Sequence, residues 1–202
     1  MNISPNNYNT NISFKGQRLF PIKLIRTLPN QTREIVDGFF TRMDKSDISL
    51  AKEIFPIWSQ ETRFGRDILH KFIRQNTEKA LNTDCQKVFM IEIPSEKNAI
   101  DRVKGFATVS KFADSIYVDF LQSANQAKSL EKLKGIGSML LYGIAKIAQK
   151  ENKGPIILQP TPHSRNWYPK FLFERINETE IWVLSRSNID KLIANLRKKF
   201  NL

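Results

Sequence analysis

The residues Lys132-Leu133-Lys134-Gly135-Ile136-Gly137-Ser138 are the stretch of this chain whose types and spacing most directly suggest chemistry. They lie between a strand-like run ending near Gln122 and an amphipathic run from Met139 to Lys150, so they form a glycine-bearing turn that opens a helix. Glycines without a Cβ let the backbone take unusual dihedrals and let an anion such as a diphosphate come close. The first N–H groups of the helix have no partner within it and point outward at the positive end of its dipole. Two or three charge-assisted N–H bonds at roughly 1.5–3 kcal/mol each would outweigh the roughly 0.3–1 kcal/mol of the dipole, so geometry would hold the ligand. A plain strand-to-helix turn carries the same signature. Two familiar phosphate motifs do not fit, because Leu140 stands where a third glycine would complete G-x-G-x-x-G and no Gly-Lys-Ser/Thr closes a P-loop.

Two carboxylates come next. Asp119 sits in the middle of the apolar run S-I-Y-V-D-F-L-Q, and Glu92 is the next-to-last residue of a similar run, V-F-M-I-E-I. A carboxylate buried in a strand is costly unless it is partnered, which makes each a candidate base. A strand residue facing the surface and paired with a lysine is the other reading of both. His70, His163 and Cys85 form no metal set of recognisable spacing, so no structural metal is expected.

The elements that must position these groups can be read in order. Residues 1–18 are expected to be a loose N-terminal segment, rich in Asn and Ser, and 19–202 a single domain. Leu19 to Leu28 alternates as a strand between Pro21 and Pro29. Asn30 or Thr32 is then predicted to cap a helix with Ile35, Val36, Phe39, Phe40 and Met43 on one face. Further helical patterns begin near Asp47 and near Thr62, carrying Trp58 and His70. Three strands follow: Val88 to Ile93, Lys104 to Lys111 and Ser115 to Gln122, the last two joined as a hairpin. The polar segment from Ser123 to Glu131 reads as a loop. The helix from Gly137 to Lys150 precedes a short buried strand, Pro155 to Gln159, so a ligand is expected beyond the carboxyl ends of the flanking strands. A short helix near Pro169 with Asn166 as N-cap, a closing strand from Glu180 to Ser185, and a basic helix opened by a Ser187 to Asp190 capping box complete the chain.

Composition bounds the partners. Thirty-two Lys and Arg against twenty Asp and Glu give a formal charge of +12, which favours anionic partners, nucleic acid among them. No apolar run approaches the ~18 residues of a membrane span, and the single Cys85 excludes an internal disulfide; a cytoplasmic, reducing setting is expected.

The glycine turn resembles the coenzyme A diphosphate loop of the GNAT superfamily of N-acetyltransferases, Q/R-x-x-G-x-G/A, with Lys132 in the basic position and Gly135 and Gly137 on its glycines. Trp167, Tyr168, Lys170 and Phe173 fall on a second GNAT pattern, F-Y-x-K-x-G-F, in which Leu172 replaces the glycine. The resemblance implies an α+β fold with a mixed, mostly antiparallel central sheet flanked by helices. It implies acetyl-coenzyme A as cosubstrate and an amine acceptor, small molecule or protein. Lys132, Lys134, Gly135, Ile136, Gly137 and Ser138 would hold the diphosphate, and the backbone of Phe120, Leu121 and Gln122 the pantetheine arm. Tyr168 would protonate the departing thiolate, with Asp119 or Glu92 as base. A basic module of the same fold, binding nucleic acid or a ribosomal or protein surface without catalysis, is the alternative.

Overall fold

The computed structural model describes residues 16–44, 47, 86–96, 99–123 and 132–202. Its centre is a nine-stranded sheet. In chain order the strands are β1 (Gln17–Thr27), β2 (Arg33–Arg42), β3 (Gln86–Glu92), β4 (Val103–Lys111), β5 (Ile116–Ser123), β6 (Lys132–Lys134), β7 (Ile156–Leu158), β8 (Glu174–Arg175) and β9 (Trp182–Leu184). The helices are α1 (Ala99–Arg102), α2 (Ile136–Lys150) and α3 (Arg186–Phe200), with a 3-10 turn over Tyr168–Phe171. The strands lie in the order β6-β1-β2-β3-β4-β5-β7-β9-β8. Among the described residues every pairing is antiparallel except that of β5 with β7, which the helix-bearing crossover through α2 makes parallel.

The apolar patterns account for this arrangement. In β3, Val88 and Met90 are buried on one face and Phe89 and Ile91 on the other, so the run is continuously hydrophobic rather than alternating. α2 buries Met139, Leu140, Leu141, Ile144, Ala145 and Ala148 against the sheet, and α3 adds Ile189, Leu192, Ile193, Leu196 and Phe200 to the same core.

Several expectations are corrected. The predicted helix after Pro29 is instead β2, paired along its whole length with β1. Its side chains alternate as a strand requires, with Val36 and Phe40 buried and Ile35 59% exposed. Asn30, expected to cap a helix, accepts hydrogen bonds from the Thr32 N–H and hydroxyl at 3.1 and 2.6 Å and closes a hairpin turn in which Gln31 has φ 65°. Lys132–Lys134, expected within the glycine turn, is an edge strand beside β1. The 3-10 turn is capped by Trp167 rather than Asn166. α3 begins two residues early, with Ser185 as N-cap instead of Ser187. β1 starts at Gln17, just inside the segment expected to be loose. The helical patterns carrying Trp58 and His70, and Cys85, lie outside the described residues.

Candidate active site

The feature that makes a site is where the two parallel strands part. β5 and β7 pair only at Ile116–Ile156, Tyr117–Ile157 and Val118–Leu158, while β5 runs on to Ser123. At that point β5 also carries a bulge: Thr108 faces Phe120 and Val109 faces Val118, which leaves Asp119 without an opposite residue on β4. A bulge bends its strand and re-aims the side chain it carries. Beyond the parting lies an open cavity of about 750 Å³. One wall is β5 from Val118 to Ser123; the other is the segment from Leu158 through Gln159, Thr161, His163 and Ser164 to Tyr168. Leu133, Gly135, Ile136 and Gly137 close one end.

At that end α2 begins with Gly135 as N-cap, at φ 97°, and no side chain caps its first turn. The residue is glycine for two reasons. The left-handed dihedral is strained for any L side chain, and a Cβ there would stand 2.5 Å from the Phe200 ring of α3. Gly137 is filled from the other side, since a Cβ would meet the Trp167 indole at 3.1 Å. Both glycines therefore admit aromatic rings of this chain, and what the turn offers a ligand is its amides. Trp167 also packs on Phe171 and Tyr168, with ring centroids 4.4 and 5.0 Å apart, and lies near Leu121 where β5 ends.

Tyr168 is 7% exposed and lines the cavity. Burial pushes its phenol up to about 12, and a hydrogen bond with the Ser164 side chain pulls partly the other way. It thus keeps its proton throughout the neutral range. Asp119 also lines the cavity; its Oδ2 accepts from the Ser110 hydroxyl at 2.9 Å and from Gln86 Nε2 at 3.0 Å, and its Oδ1 lies 3.1 Å from the same hydroxyl.

The structure brings together Tyr168, Asp119, Phe120, Leu121, Gln122, Gly135, Ile136 and Gly137 around one cavity. It does not bring Glu92, Lys132, Lys134 or Ser138 to its walls. Glu92 is 1% exposed and takes a two-pronged hydrogen bond from Arg18, Nε at 3.0 Å and Nη2 at 2.9 Å. That bond is also the main reason the Arg18 guanidinium holds its proton more tightly than usual. In β6 it is Leu133 that lines the cavity, and side chains alternate along a strand, so its two lysines belong to the opposite face. Ser138 is buried in the first turn of α2. Gln159, Thr161 and Ser164 carry no mark in residue type, and His163 marks only an incomplete metal set; the position of all four just past the carboxyl end of β7 is the signal that could find them.

No protein-family model matches the sequence, and no curated protein matches it. Solved structures do. A protein described as an acetyltransferase of the GNAT family from Desulfovibrio desulfuricans is 11% identical with TM-score 0.53, over 72% of this chain and 97% of its own. One described as an acetyltransferase from Exiguobacterium sp. 255-15 is 19% identical with TM-score 0.53, over 77% and 98%. An aminoglycoside acetyltransferase, solved with coenzyme A and kanamycin, is 15% identical with TM-score 0.52, over 75% and 96%. With its mixed sheet, its parted parallel pair and these neighbours, the chain has the fold of the GNAT acetyltransferases.

Proposed function

We infer that this chain transfers an acetyl group from acetyl-coenzyme A directly to an amine. The observation that carries the reading is the parting of β5 from β7 after Val118 and Leu158, which leaves a cavity between uncapped α2 amides at one end and Tyr168 along its wall. A diphosphate at the Gly135 to Ser138 amides would point the pantetheine arm along Phe120 to Gln122. Beyond the parting, β5 has no partner strand on its β7 side among the described residues, so its backbone donors on that side can serve the arm or the oxyanion of a tetrahedral intermediate. One such donor is typically worth about 3–4 kcal/mol.

In this mechanism the amine nitrogen attacks the thioester carbonyl, the C–S bond breaks, and the sulfur takes the Tyr168 proton. The attacking nitrogen sheds its own proton to Asp119 or to water held by it. A lysine-like amine of pKa ~10.4 is mostly charged at pH 7, and neutralising it costs roughly 4–5 kcal/mol, which is the work a positioned carboxylate relieves. Glu92 is committed to Arg18 and takes no part. The reading treats 19–202 as one catalytic domain in a reducing cytoplasm; no described helix is long and apolar enough to cross a membrane.

Calorimetric titration with acetyl-coenzyme A tests it. The wild type should give saturable heat, and Gly137→Trp, which drives a second indole into the place of Trp167, should give none while retaining its circular dichroism. Absence of heat from the wild type at high protein concentration removes the reading.

A further inference from the structure

Burial makes Tyr168 a reluctant acid. Its phenol is pushed up to about 12, whereas an ordinary thiol ionises near ~8.5. A proton passed from this phenol to a departing thiolate therefore runs uphill by roughly three powers of ten, and a bare phenolate would take it back. The phenol oxygen needs a new proton as its own leaves. A chain of hydroxyls on the cavity wall can deliver one: Thr161, Ser164 and Tyr168 all line it. The Ser164 side chain hydrogen-bonds the Tyr168 phenol. Its Oγ also lies 3.1 Å from Thr161 Oγ1 and donates to the Thr161 carbonyl oxygen at 3.1 Å. Ser164 thus has one proton and two acceptors for it. While the phenol keeps its proton, the Thr161 carbonyl takes that of Ser164; as charge develops on the phenol oxygen, rotation about the Ser164 Cβ–Oγ bond turns the same proton toward it. The backbone fixes the arrangement, because the Ser164 N–H donates to the Thr161 carbonyl at 3.0 Å, the Trp167 N–H donates to the Ser164 carbonyl at 2.9 Å, and Pro160 and Pro162 flank Thr161. Thr161 is exposed and Tyr168 is 7% exposed, so the three hydroxyls run from solvent to a buried oxygen. Of the other titratable groups lining the cavity, Asp119 is held by Ser110 and Gln86, and His163 is exposed.

We propose that Ser164 is the positioning residue of the Tyr168 acid and the middle link of a proton relay, Thr161 to Ser164 to Tyr168, that refills the phenol as the thiolate departs. This inference rests on the acetyl-transfer reading. As the C–S bond breaks, the sulfur takes the Tyr168 proton, the phenol oxygen takes the Ser164 proton, Ser164 takes that of Thr161, and Thr161 takes one from water at the exposed end. The acceptor nitrogen loses two protons on going from ammonium to amide. One makes good the proton drawn from water, the other is released to solvent, and no phenolate is left behind.

One measurement is made at the phenol and one on the reaction. The tyrosinate ultraviolet absorbance of the wild type, Ser164→Ala and Ser164→Thr is followed on raising pH and compared with the same proteins carrying Tyr168→Phe, so that the difference belongs to Tyr168. Loss of a hydrogen bond to a charged oxygen should lower the ionised fraction of Tyr168 at a given pH by about tenfold in Ser164→Ala, and Ser164→Thr, which keeps the hydroxyl, should restore it. The proteins are then given n-butylamine and acetyl-coenzyme A. Ser164→Ala should lower kcat by about tenfold with KM for acetyl-coenzyme A within about twofold, Ser164→Thr should recover most of the rate, and Thr161→Val should lose only about threefold because water reaches Ser164 in its place. In mixtures of light and heavy water the wild-type rate should curve with deuterium content, as more than one proton moves, and the Ser164→Ala rate should follow a straight line. Equal ionisation of Tyr168 in the wild type and Ser164→Ala, a Ser164→Thr variant no faster than Ser164→Ala, or a straight line from the wild type overturns the relay and leaves the transferase reading standing. Saturable heat from acetyl-coenzyme A without acetylation by the wild type overturns the relay and leaves binding in place. No heat removes both readings.

Discussion

Tyr168 shows how burial alone can prepare a residue for one role and cost the protein elsewhere. Its phenol ordinarily ionises near 10, and in the fold it is raised to about 12, chiefly by desolvation. A raised folded value means that its contribution to stability is complete below pH 10 and is lost as pH climbs through the interval up to 12. Two units at about 1.36 kcal/mol each set a ceiling of roughly 2–3 kcal/mol for that alkaline loss. Tyr168→Phe has no proton to lose, so urea midpoints at pH 8 and pH 11 should separate less in the variant than in the wild type. If the phenol also protonates the leaving thiolate, the same variant should transfer acetyl groups about 10²–10⁴-fold more slowly, the usual range for a general acid. A wild-type rate would retire it as the acid and leave the stability effect standing. The two carboxylates differ in kind. Glu92, at 1% exposure, is matched by the planar fork of Arg18, an arrangement that satisfies a buried charge, and it does not line the cavity. Asp119 sits at a bulge with only neutral partners, Ser110 and Gln86, and faces the cavity.

Among the elements, α2 carries the tightest constraint. A Cβ on Gly143 would lie 2.2–2.5 Å from three atoms of the Phe40 ring. That ring is fully buried and is stacked on Phe20 and on Phe89, each with centroids 5.0 Å away, so it has nowhere to go. Alanine would gain about 1 kcal/mol of helix propensity over glycine. Overpacking against an immobile ring costs typically 1–3 kcal/mol and more where nothing yields, so the clash should win. Gly143→Ala is expected to lower the urea midpoint with an unchanged m-value, and a raised midpoint would show that α2 can lift off the sheet. The contrast with β2 explains what the sequence could reveal. α2 is long, amphipathic and preceded by a turn, so its extent was legible to within a residue. In β2, Ile35, Val36, Phe39 and Phe40 satisfy a spacing of four as well as β-strand preferences, and Asn30 serves a hairpin as readily as a helix. Only pairing with β1 decides, and that contact is not local. Likewise Leu172, in place of the glycine of the second pattern, adopts a left-handed conformation at φ 63° and ends the 3-10 turn. Its packing against the core offsets a strain that composition alone would have forbidden.

On the scale of the molecule, the cavity is walled by segments far apart in the chain: β5, the start of α2, and the stretch from Leu158 to Tyr168. The residues that line it were legible where a motif or a strand end marked them. The contacts they make were illegible, as with the Trp167 indole, whose place against the open side of Gly137 is assigned by tertiary structure alone. Because no single element contains the site, a ligand seated there ties together parts that must separate when the chain unfolds. A ligand that binds only the folded state stabilises it by about 2.7 kcal/mol at a hundred times its dissociation constant. For a chain of this size each kcal/mol moves the melting temperature by roughly 2–4 °C, so saturating acetyl-coenzyme A should raise it by about 5–10 °C. The rise should grow logarithmically with ligand concentration, which distinguishes binding from a solvent effect. Gly137→Trp should melt at a temperature that acetyl-coenzyme A does not change, whereas Tyr168→Phe, which alters the reacting end and not the diphosphate end, should keep most of the shift. A shift of equal size in Gly137→Trp would place the ligand somewhere other than between α2 and the parted strands.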